Sequence, residues 1–523
     1  MSITRVAGAD RGAGFVATIR PLLPDLLFVL LAVYNAIRLF RHAMWRDELQ
    51  AFMVAAASNT PLDLFAKLKY EGHPGLWHLL LWVVTRFTTD PVAMQLLHLV
   101  IALGVWVLVW RLSPFRPVGK LLLLLSYYLF WEYFVVSRPY ALGVLLGFGF
   151  VALQARRPDQ RFWPWVLLGL LANTTVFGTI WSFGLGLFYA LRNRQEWRLL
   201  LPGAALYVAL AALAVVTMLP APDFNFGNQP SVELSQLDMP LHFAIGAFVP
   251  FFSPFVGDVL RRFGGAAADL AASPFVTDPV SQLFPILGGG SGNLLFQAAV
   301  LALPVLACFI IVRDAMRTAE FALTYFGVLL FVQLWQFPGA PHHYGILFVA
   351  FVGTVWMWRS TLPPRRAAPA LWVVLLVINA FGGLTTLAWE FRPFSQSRNA
   401  ATWIETMHLE DKFLMGSPDW AASSVAGYLQ RPLYYLDCEC FGTHVVWDEQ
   451  RADFLERDEM IGRAIKAMTA VGKNEGYLIV NHDYRLGRQT TAPDFVFEPI
   501  KRFPEAFVAD ERYVIYRVRH REN

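Results

Sequence analysis

The chain has 523 residues, 56% of them hydrophobic, 15% aromatic and 16% charged, with 43 Lys and Arg against 39 Asp and Glu. A mean hydropathy of +0.45 excludes an ordinary soluble globular protein. A net charge of +4, dispersed in short clusters, excludes a nucleic-acid-binding patch, and three cysteines are too few for a disulfide framework.

Apolar runs of roughly the 20 residues that a membrane-spanning helix needs recur from Leu22 to Trp389. The first, Leu26 to Ile37, follows Arg5, Arg11 and Arg20 and has no small-residue cleavage site after it, which predicts a retained signal anchor. Basic clusters fall at 111–120, 156–161, 192–198, 313–317 and 359–366, and the positive-inside rule makes all five cytoplasmic. A helix over 22–40 then carries the chain outward. The segment 75–87 is too short to cross, at about 1.5 Å per residue, and reads as an interfacial helix. Further spans are predicted at 92–110, 120–136, 139–155, a short hairpin 163–191 with its tip near Asn173-Thr174-Thr175, then 199–219, 293–312, 320–336, 345–358 and 368–388. The total is about 11 crossings.

This topology puts an outer loop 41–91, the turn Ser137-Arg138-Pro139, a long loop 220–293, the 339–345 turn and everything after Glu390 on the extracytoplasmic side. Within the long loop, Phe243 to Phe252 suits a short helix in the headgroup region, and the loop as a whole suits a lid. From about Ser395 the pattern becomes that of a small α/β domain. Helices are expected near 399–407, 419–429 and 451–471, and strands at 412–416, 433–436, 443–447, 477–481 and 513–518. No phosphate-binding glycine fingerprint or serine nucleophile elbow occurs there. Cys438 and Cys440 form a C-x-C, for which two unremarkable thiols is favoured over a metal site or a local bridge. The expected fold is thus mostly α: a polytopic transmembrane helical bundle over 1–390 followed by an extracytoplasmic α/β domain over 391–523.

Four clusters facing that outer side carry chemistry. Asp47 and Glu48, in Trp45-Arg46-Asp47-Glu48-Leu49-Gln50, are carboxylates at a membrane boundary, where an ionised group is kept mainly when it pairs or does work. They equally suit the first turn of a helix, and adjacent helical positions diverge by about 100°, so the two need not share one site. Lys69, Glu71 and His73 precede the Pro74 that opens the interfacial helix, a simple helix entry when taken alone. Arg138 and Tyr140 lie between two apolar runs, where a lone arginine more often snorkels to headgroups. His342, His343 and Tyr344 form a polar knot between helices, a weak metal signal without a further ligand. One topology, derived from basic loops elsewhere, gathers all four at one surface, which favours an active site.

The acidic pair after the first helix, followed by His73-Pro74-Gly75-Leu76-Trp77, resembles the polytopic GT-C glycosyltransferases that use polyprenyl-phosphate sugars, such as protein O-mannosyltransferases and the lipid A aminoarabinose transferase. The resemblance covers the membrane body and is strongest over 45–82. It implies a polyprenyl-phosphate sugar donor, a lipid, glycan or protein acceptor, inversion at the anomeric carbon, and a catalytic carboxylate in the first outer loop, at Asp47. A bacterial inner membrane location follows from the same resemblance.

With that chemistry, Asp47 and Glu48 are the candidate catalytic carboxylates, and Asp47 takes the acceptor proton. Arg138 and His342 or His343, with His73 and Lys69 behind them, meet the leaving phosphate. Glu48, Glu71 and His343 are the candidates for a divalent cation, Mg or Mn, which the sequence does not require. This sequence has Pro-Gly where many relatives have Pro-Pro, and its C-terminal domain differs from those of the best-known members. The rival class is a transporter or flippase for a lipid-linked sugar, which internally repeated halves would favour; no clear repeat is present.

Overall fold

The computed structural model describes residues 22–225, 237–250, 285–287, 293–335, 337, 339–363, 369–481, 486, 490–492 and 494–521. The arginines before the signal anchor, the end of the 359–366 cluster and most of the 220–293 loop lie outside these residues. In chain order the helical body comprises α1 (Leu23–Arg41), α2 (Arg46–Ala56), α3 (Pro61–Lys67), α4 (Leu76–Thr85), α5 (Val92–Val107), α6 (Pro117–Leu124), α7 (Tyr140–Arg156), α8 (Trp163–Ala172), α9 (Val176–Arg192) and α10 (Trp197–Met218). It continues with α11 (Asp238–Phe248), α12 (Leu294–Val312), α13 (Ala315–Leu334), α14 (Pro341–Ser360) and α15 (Ala370–Thr385).

Among the described residues, six helical stretches are long and apolar enough to cross a membrane: Leu23–Arg41, Val92–Leu112, Arg194–Met218, Leu294–Val312, Ala315–Leu334 and Ala370–Phe391. Their outer faces leave Leu26, Val29, Leu30, Leu199, Val208 and Val215 exposed. Hydrocarbon solvates such a surface and water does not, so this is an integral membrane protein. Helix α14 is different: from Tyr344 to Met357 every residue is buried, and it packs against α7, α11 and α13 at the centre of the body.

Two expectations about the body are settled by backbone hydrogen bonding. The 163–191 segment is a hairpin, α8 and α9 joined at Asn173–Thr175, with Thr175 capping α9 by accepting from Gly178 N. The 120–136 span, by contrast, is not one helix. α6 stops at Leu124, and a separate turn with π-type hydrogen bonding covers Tyr128–Glu132. Side chains satisfy carbonyls in the broken stretch: Trp106 Nε1 donates to Leu129 O at 2.8 Å and Asn35 Nδ2 to Phe130 O at 2.9 Å. α15 fits against the break because Gly383 has no Cβ, which would lie 1.9 Å from the Leu125 carbonyl oxygen.

The C-terminal region folds as three layers. Its sheet has the order β3-β2-β1-β4-β7-β6-β5, from β1 (Leu414–Ser417), β2 (Leu433–Tyr435), β3 (Cys440–Gly442), β4 (Glu475–Asn481), β5 (Thr490–Thr491), β6 (Phe495–Phe503) and β7 (Tyr513–His520). β1 pairs in parallel with β2 and β4, and the remaining pairings are antiparallel. Alternation along β4 sends Tyr477 and Ile479 to a core shared with α16 (Ser397–Thr406) and α17 (Asp419–Leu429). Leu478 and Val480 point to a second core under α18 (Arg457–Val471).

Four expectations for this region are corrected, the first being the helix expected over 451–471, which starts only at Arg457. The strand expected over 443–447 is irregular, and β3 forms just before it as a hairpin return on β2. Strands β5 and β6 were not anticipated, because Pro499 and Lys501 interrupt the alternation of β6 and its register shifts there. Cys438 and Cys440 form a disulfide rather than two thiols.

α17 starts with a buried ion pair. Asp419 receives Arg451 Nε at 2.8 Å, both side chains being 2% exposed, and the Arg451 guanidinium lies over Trp447. Removing one partner leaves the other charge buried and uncompensated, at a cost of about 3–5 kcal/mol. Arg451→Met is therefore expected to lower the thermal unfolding temperature measurably, and Asp419→Asn added to it to recover part of the loss, as read by tryptophan fluorescence of the purified protein.

Candidate active site

Helix α2 begins where the first membrane helix ends, and its first turn carries the acidic pair. The two carboxylates have separate environments. Glu48, fully buried, is at the third position of the helix and reaches back to accept from Trp45 N at 3.2 Å. The same oxygen takes His42 Nε2–H at 2.8 Å, and its other oxygen takes Ser137 N–H at 2.6 Å. Capping thus describes Glu48, which also ties the end of α1 and the 137–138 turn to the start of α2.

Asp47 points the other way and is 33% exposed. Its Oδ2 lies 2.5 Å from Arg138 Nη1 and its Oδ1 3.6 Å from Arg46 Nε. Burial alone would raise the Asp47 pKa, but Arg138, Arg46 and His342 together hold it below the usual carboxylate range. Arg138 is buried and its guanidinium carbon sits 5.7 Å from the Tyr140 ring centroid. The opposite neighbour of Tyr140 is the histidine pair: His342 and His343 ring centroids lie 5.1 and 5.6 Å from it.

The structure therefore brings Asp47, Arg138, Tyr140, His342 and His343 together, with His73 close enough to interact electrostatically with Asp47 and Arg138. Burial and the Arg138 charge push His73 down to about 4, so at neutral pH it is an uncharged donor and acceptor rather than a cation. Glu71 joins through Gln50, whose Nε2 donates to Glu71 Oε1 at 2.7 Å. Lys69 is exposed, and its carbonyl accepts from Ala221 N. Tyr344 is buried against Phe243 and His242 of α11. The three metal candidates do not converge: Glu48 is engaged as described, His343 Nδ1 accepts from Ala340 N at 2.8 Å, and Glu71 is held by Gln50. No group of three or more His, Cys, Asp or Glu placed to hold a metal occurs among the described residues, so no metal ligand is assigned.

Several participants were not singled out in the sequence. Glu132 is buried, 3.3 Å from His342 Nδ1, and accepts from Tyr127 OH at 3.1 Å. Its signal was a carboxylate inside the apolar run Leu129-Phe130-Trp131-Glu132-Tyr133-Phe134. Arg46 and Gln50 flank the acidic pair and both reach the C-terminal domain. Arg46 N donates to Glu511 Oε1 at 2.7 Å and Arg46 Nη1 to Asp510 Oδ2 at 2.6 Å. Gln50 pairs with the Val445 backbone in both directions, at 2.7 and 3.0 Å. Close to the Asp47–Arg138 pair, the buried His73 Nδ1 and His342 Nε2 have no hydrogen-bond partner among the described residues. Native proteins rarely leave such atoms unpaired, and ordered water or a bound ligand pairs them.

No family model and no curated relative matches this chain. Two solved structures are similar to it over nearly its whole length. One is ArnT from Cupriavidus metallidurans in the apo state, 16% identical, covering 97% of this chain and 98% of that one with a TM-score of 0.43. The other is the same protein bound to undecaprenyl phosphate, 16% identical, covering 94% and 97% with a TM-score of 0.42. Likeness at this level assigns neither family nor function.

Glu71 supplies a pH test. Burial pushes its carboxyl from 4.5 up to about 7, the Gln50 hydrogen bond opposing this only in part. The fold thus binds that proton more tightly than the unfolded chain. The associated stability is present below pH 4.5 and lost as pH rises through 7. Glu71→Gln is expected to flatten this part of the melting-temperature profile and to stabilise the protein at pH 8 by up to about 2 kcal/mol. Thermal unfolding across that pH range measures it.

Proposed function

We propose that this protein is an integral-membrane glycosyltransferase of a bacterial inner membrane. It moves a sugar from a polyprenyl-phosphate donor to a lipid, glycan or protein acceptor on the extracytoplasmic side, with inversion at the anomeric carbon. The observation that carries this reading is the Asp47–Arg138 pair, at 2.5 Å, with Asp47 partly open to solvent and the unpaired His73 Nδ1 and His342 Nε2 close by.

A hydroxyl is a poor nucleophile at neutral pH, and a carboxylate within hydrogen-bond reach of it accelerates attack by taking its proton. A carboxylate already paired with two arginines is a weak base. An incoming phosphate competes for Arg138, and as that guanidinium turns to the phosphate, the charge depressing the Asp47 pKa is withdrawn. Donor binding thereby activates the base, and Arg138 stabilises the charge developing on the departing phosphate. Arg46, held by Asp510 and Glu511, stays behind to keep Asp47 oriented. In this reading the helical body carries the chemistry over 1–390, and the sheet domain over 391–523 closes the site from above.

The test uses purified protein with polyprenyl-phosphate hexose and pentose donors and a panel of the three acceptor classes. Wild type is expected to transfer from at least one donor, and Asp47→Asn to lose about 10²- to 10⁴-fold in rate while still binding polyprenyl phosphate. Transfer by Asp47→Asn at the wild-type rate overturns the base assignment. Translocation of the lipid-linked sugar without transfer to any acceptor replaces the enzyme with a flippase.

A further inference from the structure

The Glu132–His342 pair is not used by the chemistry above. Glu132 is a buried carboxylate deep in the broken helical segment, and its partners are Tyr127 OH and His342 Nδ1. With Glu132 on Nδ1, Nε2 is the atom left free through which His342 exchanges a proton. That Nε2 is buried and unpartnered, on a side chain 5% exposed. The ring is held by Glu132 on Nδ1, the Tyr140 ring at 5.1 Å and the His343 ring at 4.1 Å, and Tyr133 OH donates to the His342 backbone carbonyl at 2.9 Å. A carboxylate, an oriented imidazole and an open Nε2 constitute a proton-transfer device waiting for its reactant.

Resting on the reading of the site as one for a polyprenyl-phosphate-linked sugar, we propose that His342 is a catalytic residue there. Its Nε2 gives the proton that the departing phosphate takes up, with Glu132 as the positioning residue behind it. The charged and titratable groups facing His342 are Glu132, Arg138, Asp47, His73, His343 and Tyr140. Burial first, and then the Arg138 charge, disfavour a second proton on the His342 ring, while Glu132 and Asp47 favour it. A bound phosphate beside Arg138 cancels that repulsion, so the proton arrives with the donor.

The step balances. The acceptor oxygen forms its bond to the anomeric carbon and its proton passes to Asp47. The anomeric C–O bond breaks with its electron pair going to the phosphate oxygen, which takes the His342 Nε2 proton. A singly charged donor phosphodiester becomes a singly charged monoester, and the site never holds a phosphate dianion, whose desolvation would be costly. Asp47 ends protonated and His342 neutral, and solvent exchange resets both with no net proton released.

Binding of polyprenyl phosphate itself tests this without knowledge of the sugar. Its dissociation constant is measured by calorimetry in lipid nanodiscs between about pH 5.5 and 8.5, a range that brackets imidazole and phosphate titration. Wild type is expected to bind with proton uptake, seen as heats that depend on buffer ionisation enthalpy. His342→Gln is expected to weaken binding roughly tenfold at the acid end, the loss of one charge-assisted hydrogen bond, and little at the alkaline end. Glu132→Gln should move the pH at which affinity falls about one unit lower, since the carboxylate that favours the imidazolium is gone.

Wild-type affinity and pH dependence in His342→Gln overturn the proposal while leaving the lipid-phosphate site intact. An unmoved fall-off in Glu132→Gln removes its positioning role. Should His342→Gln not fold, proton uptake by wild type decides: binding without uptake at any pH overturns the proposal. Failure of wild type to bind polyprenyl phosphate at all defeats the parent reading instead.

Discussion

The geometry of the candidate site depends on one buried carboxylate, Glu48. A fully desolvated acid is costly unless its lone pairs are filled, and Glu48 fills them with three donors from three parts of the chain: His42 Nε2, Trp45 N and Ser137 N. Those bonds hold the end of the first membrane helix, the start of α2 and the turn that leads into α7 in one arrangement. Arg138 follows Ser137 directly, and Asp47 precedes Glu48 directly. Anchoring the two neighbours therefore brings the working pair face to face.

A second constraint comes from the C-terminal domain. In open α/β sheets, ligands sit outside the carboxyl ends of parallel strands where the strand order switches direction. Here that position lies at the ends of β1 and β4, because β2 flanks β1 on one side and β4 on the other. Arg46 of the helical body fills it. Its guanidinium lies 4.7 Å from the Trp420 ring just after β1 and bonds Asp510, whose carbonyl takes Asn481 Nδ2–H at the end of β4. The domain thus grips the residue adjacent to Asp47. Burial raises Glu511 to about 8, yet Arg46 N–H binds it, so the grip on the backbone does not require Glu511 to be ionised at neutral pH.

Much of this organisation was legible in the sequence because it follows from periodicity and punctuation. The α8–α9 hairpin was visible in two short apolar arms around Asn173-Thr174-Thr175, and α17 in the stretch from Asp419 to Leu429, whose bounds the structure reproduces. What was not legible depends on contacts distant in sequence. A continuous apolar run from 120 to 136 looks like one helix, and only the side chains of Asn35 and Trp106 make a break there affordable. Glu132 was hidden inside that run, and its partner is 210 positions away. The C-x-C pair allowed a local bridge but did not favour it, because spacing alone does not report the turn that brings the sulfurs together.

Adjacency does not give the acidic pair a shared site. A helix turns about 100° per residue and sends the two adjacent carboxylates to different surroundings, as the sequence allowed. Glu48 faces inward and is saturated with hydrogen bonds. Asp47 faces outward to two arginines, one of which a phosphate can recruit. The same divergence separates the consequences of changing them. A substitution at Glu48 releases Ser137, and with it the approach of Arg138, so its effect on activity would come through geometry. At Asp47 the polar scaffold is untouched, and what is lost is a charge whose basicity depends on where Arg138 is bound. A residue whose environment changes with ligand occupancy is suited to chemistry in a way that a saturated one is not, and this assigns the two members of the pair different roles.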